Sequence, residues 1–372
     1  MIRTSLYARL AVPVALVAVL GAACSSSKSS SSSSSAAAGS TTTAAPATTA
    51  APAVSGTLNG DGSTLQANFE NAAIDAFTKS AHGVTINYNA VGSGQGQSDL
   101  AAHNVDFAGS DVAISATTLP KFNGAKVLYF PIVADPVTIS YNLPSVKTLD
   151  LSGPTIAKIF MGQIKFWDDP AITADNSASG AKLPHTPITV VHRSDSSGTT
   201  GNFTKFLVKA GGAAWTLGSA TTVAWPTSET AAKGSSGVAQ AIGQTTGAMG
   251  YIDFSDAKGT GTLQFAQVKN ASGQFLPPSL EGTSAALAQA TVNADLTYDP
   301  IFVPGASAYP ITSPTYILVL ATQTSPQKAA LLKAYIGFIL GAQGQQLATQ
   351  NDYAPLSPSL DQQATTQLAT LG

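Results

Sequence analysis

The chain has 372 residues, of which 44% are hydrophobic and 10% charged, with a formal charge of −2 at pH 7. That length exceeds what one hydrophobic core usually serves, so two folded lobes are expected. So weak an overall field excludes nucleic acid as a partner and offers no strongly charged membrane surface, so any bound anion must be held by local groups.

At the N-terminus, Arg3 and Arg9 precede an apolar run from Leu10 to Ala23. The run is shorter than the ~20 residues a bilayer-spanning helix needs and reads as a secretory signal over 1–23, which predicts export. Cys24 is the one cysteine, so no internal disulfide and no cysteine-based metal cluster is available. The segment Leu20-Gly21-Ala22-Ala23-Cys24 resembles a bacterial lipobox, although Gly21 stands where that pattern prefers an aliphatic residue. The resemblance implies a diacylglycerol on the Cys24 sulfur and anchoring to the outer face of the cytoplasmic membrane. Residues 24–55 then read as the lipidated cysteine and a Ser/Thr/Ala/Pro tether, with scarcely a side chain able to offset the entropy of ordering them.

From Thr57 onward the pattern is strand, polar Gly-rich turn, helix, repeated, which predicts an α/β protein with largely parallel sheets. Val84, Ile86 and Tyr88 alternate with polar residues as a half-buried strand, and the Gly-rich Gly92 to Gly96 leads to a helix expected over Gln97 to His103. Near the C-terminus Tyr316 to Leu320 reads as a buried strand. Ser325-Pro326 then opens a helix, Leu331, Leu332, Tyr335, Ile336 and Ile339 form its apolar face, and Gly341 stops it. Two proline-marked passages, Phe130 to Val133 and Val303 to Pro310, are the candidate lobe crossings. They place 56–134 with 311–372 in lobe I and 135–310 in lobe II.

Four strand-to-loop transitions deliver glycine and small hydroxyl residues: Gly60 to Thr64, Gly92 to Gly94, Gly109 to Asp111 and Arg193 to Thr200. In open α/β sheets ligands sit beyond the carboxyl ends of the strands, where helix N-termini offer free N–H groups to an anion. Each loop alone is more often a plain capped connection, but together they read as an oxyanion cradle. Arg193 is the only arginine beyond the signal segment, and its planar fork of donors suits a tetrahedral oxyanion. An Arg193–Asp195 structural pair is the other reading, and the two are compatible. Asp111 suits an anion site only if the ligand carries a proton, as hydrogen phosphate does and sulfate does not; a helix cap is the alternative. No nucleophile elbow, zinc-protease helix or nucleotide-phosphate loop is present, and His82, His103, His185 and His192 lack ligand spacing. No enzyme activity, metal or cofactor is therefore expected.

At these residues the sequence resembles the periplasmic phosphate-binding proteins of the bacterial phosphate ABC importer, over nearly all of 57–360. Gly60-Asp61-Gly62-Ser63-Thr64, Asp106 to Asp111 and Arg193 to Thr199 carry the likeness, together with Ile159 to Ile164, Trp167 to Pro170 and Gly247 to Tyr251, which read as packing. The resemblance implies a type II two-lobe periplasmic-binding-protein fold, hinged by crossing strands. It assigns Thr64 as a hydroxyl donor, Leu65 as a backbone donor, Ser93 and Ser197 as hydroxyl and amide donors, Gly198 and Thr199 as a helix-terminus wall, Arg193 as the charge and Asp111 as the acceptor. The function implied is extracytoplasmic capture of inorganic phosphate by a monomer that delivers it to the importer's membrane permease. A binding protein for another tetrahedral oxyanion, or an extracellular phosphatase on the same scaffold, remain the alternatives.

Overall fold

The computed structural model describes residues 54–372. The expected signal segment, Cys24 and the tether as far as residue 53 lie outside the described residues.

The chain opens with β1 (Gly56–Gly62), α1 (Ala67–Ser80), β2 (Val84–Ala90), α2 (Ser93–Ala101) and β3 (Phe107–Ser110). Next come β4 (Val127–Pro136), β5 (Thr138–Tyr141), β6 (Asp150–Leu151), α3 (Gly153–Phe160), α4 (Pro170–Asp175), β7 (Thr189–Arg193) and α5 (Gly198–Ala210). They are followed by β8 (Thr230–Ala232), α6 (Gly234–Gln244), β9 (Ala248–Ile252), α7 (Phe254–Gly259), β10 (Gln264–Phe265), β11 (Gln267–Lys269), β12 (Phe275–Leu276) and α8 (Leu280–Leu287). The chain closes with β13 (Thr312–Leu320), α9 (Pro326–Leu340), α10 (Ala342–Gln350) and α11 (Pro358–Leu368).

Two five-stranded sheets carry the architecture, ordered β2-β1-β3-β13-β4 and β10-β5-β9-β7-β8, with a three-stranded β12-β11-β6 beside them. In the first sheet β1 runs parallel to β2 and β3, so three strands end on one edge; β13 is antiparallel to its neighbours. In the second, β7 runs parallel to β8 and β9. Helices seal the faces. Phe69, Ala73 and Phe77 recur on one side of α1 and are buried, as are Leu331, Leu332, Tyr335, Ile336 and Ile339 of α9. Ser325 caps α9 by accepting from the Lys328 N–H, Pro326 occupies its first turn and Gly341 ends it, as the sequence predicts.

The helix expected from Gln97 begins earlier, at Ser93, so the Gly-rich stretch is its first turn. Glycine's poor helix propensity argued against this, but tertiary contact decides it. Gly92 holds φ +97, and a Cβ there would lie 2.6 Å from the Asp195 carboxylate and 2.8 Å from the Ser196 carbonyl oxygen. The helix can start there only because residue 92 is bare.

The chain passes from the first sheet to the second between β4 and β5, at Val137, beyond the Phe130–Val133 passage, which is strand interior. It returns where β13 begins. The Val137 N–H donates to the Ile311 carbonyl at 2.9 Å, so the two passages lie side by side. Of the residues matched as packing, Phe160 and Trp167 are fully buried, and the Trp167 indole donates to the Gly247 carbonyl at 3.0 Å, whereas Gln163, Asp168 and Pro170 are exposed.

Candidate oxyanion site

The carboxyl ends of β1, β3 and β7, and the start of α2, bring the four loops together. Ser93 opens α2, and its hydroxyl oxygen accepts from the N–H of Asp111, just past β3, at 3.3 Å and from the N–H of Gly198, at the start of α5, at 3.2 Å. The second of these bonds links the two sheets. So does Gly94, whose N–H donates to the Ser196 carbonyl at 3.0 Å, and Thr64, whose hydroxyl lies 3.0 Å from that of Ser235 at the start of α6 and accepts from the Ser235 N–H at 3.3 Å.

Asp111 stands at the centre, 1% exposed. Its Oδ1 accepts from Ser63 Oγ at 2.5 Å and from Thr315 Oγ1 at 2.8 Å, and its Oδ2 has one long donor, Ser93 Oγ at 3.4 Å. Oδ2 is therefore the side with acceptor capacity left. Burial pushes the carboxyl up to about 6, against the lowering effect of the Ser63 and Thr315 hydroxyls, the Arg193 charge and Ser93. The group ionises within the ordinary working range of pH.

Arg193 ends β7 and is 4% exposed. Its Nε donates to Asp195 Oδ1 at 2.8 Å and its Nη2 to Asp195 Oδ2, the fork geometry of a guanidinium on a carboxylate. The Gly234 N–H also reaches Asp195 Oδ1, at 3.0 Å. Burial raises the Asp195 carboxyl, but the Arg193 bond and charge and the Gly234 N–H outweigh it and hold it below its ordinary value. Behind the loop, Tyr251 Oη accepts from the Arg193 N–H at 3.2 Å and lies 2.6 Å from Thr200 Oγ1. The arginine is thus oriented by its neighbours while Nη1 stays buried without a hydrogen-bond partner. Thr199 Oγ1 is likewise buried and without a partner. Other side-chain atoms among the described residues are also buried without partners, so what sets these two apart is their position, at the end of β7 and in the first turn of α5.

A glycine lets the start of α5 approach α2 and Asp111 closely. A Cβ on Gly198 would lie 2.5 Å from Ser93 Oγ and 2.7 Å from Asp111 Oδ2. Ser197, just before it, is the N-cap of α5, its Oγ accepting from the Thr200 N–H at 3.2 Å. The fully buried Leu65 directs its N–H to Ser63 Oγ at 3.0 Å, and its carbonyl accepts from the Tyr353 hydroxyl at 2.6 Å. Among the described residues no group of His, Cys, Asp and Glu has the makings of a metal site. His192 stacks on Trp225, its Nδ1 2.9 Å from the Arg193 carbonyl, and burial lowers its pKa.

Hydroxyl residues around Asp111 and Thr64 that the sequence did not single out are Ser63, Thr315 and Ser235. Ser63 lies within a quoted motif, one place from Thr64. Thr315 is 204 residues from Asp111, within a buried strand that gives no local sign of a polar task.

Comparison with known proteins gives one answer. Residues 47–343 match the model of the PBP superfamily domain. The chain is 34% identical over 321 residues to the phosphate-binding protein PstS 3 of Mycobacterium leprae, covering 83% of this chain and 85% of that one. It is 36% identical over 296 residues to the phosphate-binding protein PstS of Pasteurella multocida, covering 77% and 83%. Among solved structures, the high-affinity periplasmic phosphate-binding protein PfluDING, bound with phosphate, superposes with a TM-score of 0.70 at 26% identity, over 84% of this chain and 93% of that one. The chain belongs to the PBP superfamily and, within it, to the PstS phosphate-binding proteins, with their type II α/β periplasmic-binding-protein fold.

Proposed function

We propose that this chain captures inorganic phosphate outside the cytoplasm and hands it to the membrane permease of an ABC importer, acting as a carrier and not as an enzyme. The observation that carries the reading is the combination of two buried donors without partners, Arg193 Nη1 and Thr199 Oγ1, with an acceptor that has capacity left, Asp111 Oδ2. A ligand that answers both is an oxyanion bearing a proton. Hydrogen phosphate is one; sulfate, fully ionised, would set an unprotonated oxygen against a carboxylate in a water-poor site. The names and bound ligand of the relatives support the same choice.

In this reading Thr64, Ser93 and Asp111 serve from the lobe of the first sheet and Arg193, Ser197, Gly198 and Thr199 from that of the second. Ligand binding then favours the closed arrangement, because only there do both sets meet. Leu65 enters by exchanging its bond to Ser63 Oγ. The lipid anchor on Cys24 and the tether beyond it keep the monomeric carrier at the membrane. A thermal-shift and calorimetric panel of phosphate, arsenate, sulfate and molybdate tests the proposal. Phosphate and arsenate should stabilise the protein and sulfate should not. Equal stabilisation by sulfate would transfer the chain to a general oxyanion binder, and no response to phosphate would remove the function.

A further inference from the structure

Outside the cradle lies a cleft of about 1160 Å³, far larger than a tetrahedral oxyanion needs. Its wall toward the cradle is thin: Gly94, Gln97, Asp195 and Ser196 line it, and the Gly94 N–H to Ser196 carbonyl bond closes the seam between the two sheets' loops. The rest of the lining is hydroxyl-rich and carries three lysines, Lys121, Lys205 and Lys233. They come from both sides, Lys121 from the stretch between β3 and β4, Lys205 from α5 and Lys233 from the turn before α6.

The charge there is not cancelled locally. Asp195 is the single acidic lining residue, and its oxygens are taken by Arg193 and the Gly234 N–H. Lys205 is 3.8 Å from Asp299, but Lys209 holds that carboxylate at 3.0 Å. Lys121 reaches only Ser98 Oγ, at 3.5 Å. Elsewhere the balance is the reverse. All 20 acidic residues lie in the described part, while Arg3, Arg9 and Lys28 of the 18 basic ones precede it. A free oxyanion therefore approaches a net-negative body in which this cleft next to the cradle is positive. Clefts lined by one sign of charge focus field lines and raise on-rates by roughly 10–10³-fold.

We propose that the cleft ringed by Lys121, Lys205 and Lys233 is an outer capture site for oxyanions, from which the ligand passes to the cradle when the Gly94–Ser196 seam parts. The proposal rests on the phosphate reading above. The lysines act on the rate of arrival; the cradle sets the rate of escape. Screening shortens the field to about 10 Å at 0.1 M salt, so the effect belongs to low ionic strength.

The test is association of radiolabelled inorganic phosphate, followed by rapid filtration, with dissociation read from a chase of unlabelled phosphate. The variant is Lys121→Gln/Lys205→Gln/Lys233→Gln; Lys126→Gln/Lys147→Gln/Lys182→Gln, on other parts of the surface, matches its charge. The cleft variant should associate about tenfold more slowly at low salt, with unchanged dissociation and a difference that closes as sodium chloride is added. The charge-matched control should follow the parent. Parent-like association in the cleft variant, an equal loss in the control, or a loss residing in dissociation each overturns the proposal. Lys121→Gln and Lys233→Gln singly, both at exposed positions, repeat the test should the triple variant not fold. A parent that binds no phosphate at equilibrium instead sinks the underlying function.

Discussion

Asp111→Asn separates selectivity from affinity. The two side chains have nearly the same shape, and the asparagine carbonyl can still accept from Ser63 and Thr315, which hold Oδ1 at 2.5 and 2.8 Å. The change falls on the other arm. Where Asp111 Oδ2 offers an acceptor with one long donor at 3.4 Å, the amide presents N–H groups. Toward sulfate this replaces a repulsion by a hydrogen bond; toward hydrogen phosphate it removes the acceptor for P–OH. A hydrogen bond to a charged group is worth roughly 1.5–3 kcal/mol, so the phosphate-to-sulfate affinity ratio should fall roughly ten- to a hundredfold, while phosphate binding itself changes less. Competition titrations with both anions at fixed ionic strength near pH 8 read the ratio, since the parent carboxyl, pushed up to about 6 by burial, is then ionised. Lowering the pH through that value protonates the parent and should draw its ratio toward the variant's. A ratio that is the same in both proteins near pH 8 would falsify the assignment and leave Asp111 as a structural cap.

Arg193→Met removes the charge and up to two charge-assisted hydrogen bonds, so phosphate affinity should drop by about two orders of magnitude or more. It also strips the cation from Asp195, which is 12% exposed, so calorimetry should be paired with a melting curve showing a folded but less stable protein; unchanged affinity takes Arg193 out of the site. Gly198→Ala places a methyl group 2.5 Å from Ser93 Oγ and should abolish measurable phosphate binding with a native circular dichroism spectrum, an outcome refuted by parent-like titration. Glu70, fully buried, is pushed up to about 7 by desolvation despite the Tyr335 and Gln66 bonds that lower it. Its folded value exceeds its unfolded one, so the stability it lends is complete below the unfolded value near 4.5 and is lost as pH rises through about 7. Melting temperature should therefore decline over that window, by an amount equivalent to about 3 kcal/mol, and Glu70→Gln should flatten the decline; equal slopes count against the buried charge. Cys24→Ser should release the protein from membranes or leave it unprocessed, and unaltered membrane fractionation with normal cleavage ends the lipid-anchor reading.

Much of the fold was legible because its signals are local. The alternation at Val84, Ile86 and Tyr88 and the boundaries of α9 at Ser325 and Gly341 needed no knowledge of the rest of the chain. The start of α2 was not legible, since propensity argues against a helix beginning in glycines and only the approach of Asp195 and Ser196 explains them. The site divides the same way. Ser93, Asp111 and Arg193 follow strands in Gly/Ser-rich loops, a local pattern with a physical meaning. Thr315 reaches Asp111 from a strand that pairs antiparallel with β3, and such a contact is fixed by sheet order, which periodicity does not encode.

The cradle's formal charge explains why arrival and retention need different groups. Asp195 cancels Arg193, and above about pH 6 Asp111 adds a further negative charge, so the site is net negative when its ligand, also negative, comes in. On the phosphate reading proposed above, retention would rest on short-range dipoles, the Thr64, Ser93 and Thr199 hydroxyls and the N-terminus of α5, together with the one guanidinium arm that Asp195 does not hold. Such contacts act over a few ångströms and are little affected by screening, so the rate of escape should vary weakly with salt, and affinity should weaken with salt only as far as association slows. Long-range attraction has to come from charges outside the cradle, the part proposed above for the lysines of the outer cleft. Salt should therefore slow association in the parent and scarcely alter dissociation. The reverse pattern, a salt-dependent dissociation, would mean that the cradle holds its ligand by net charge after all.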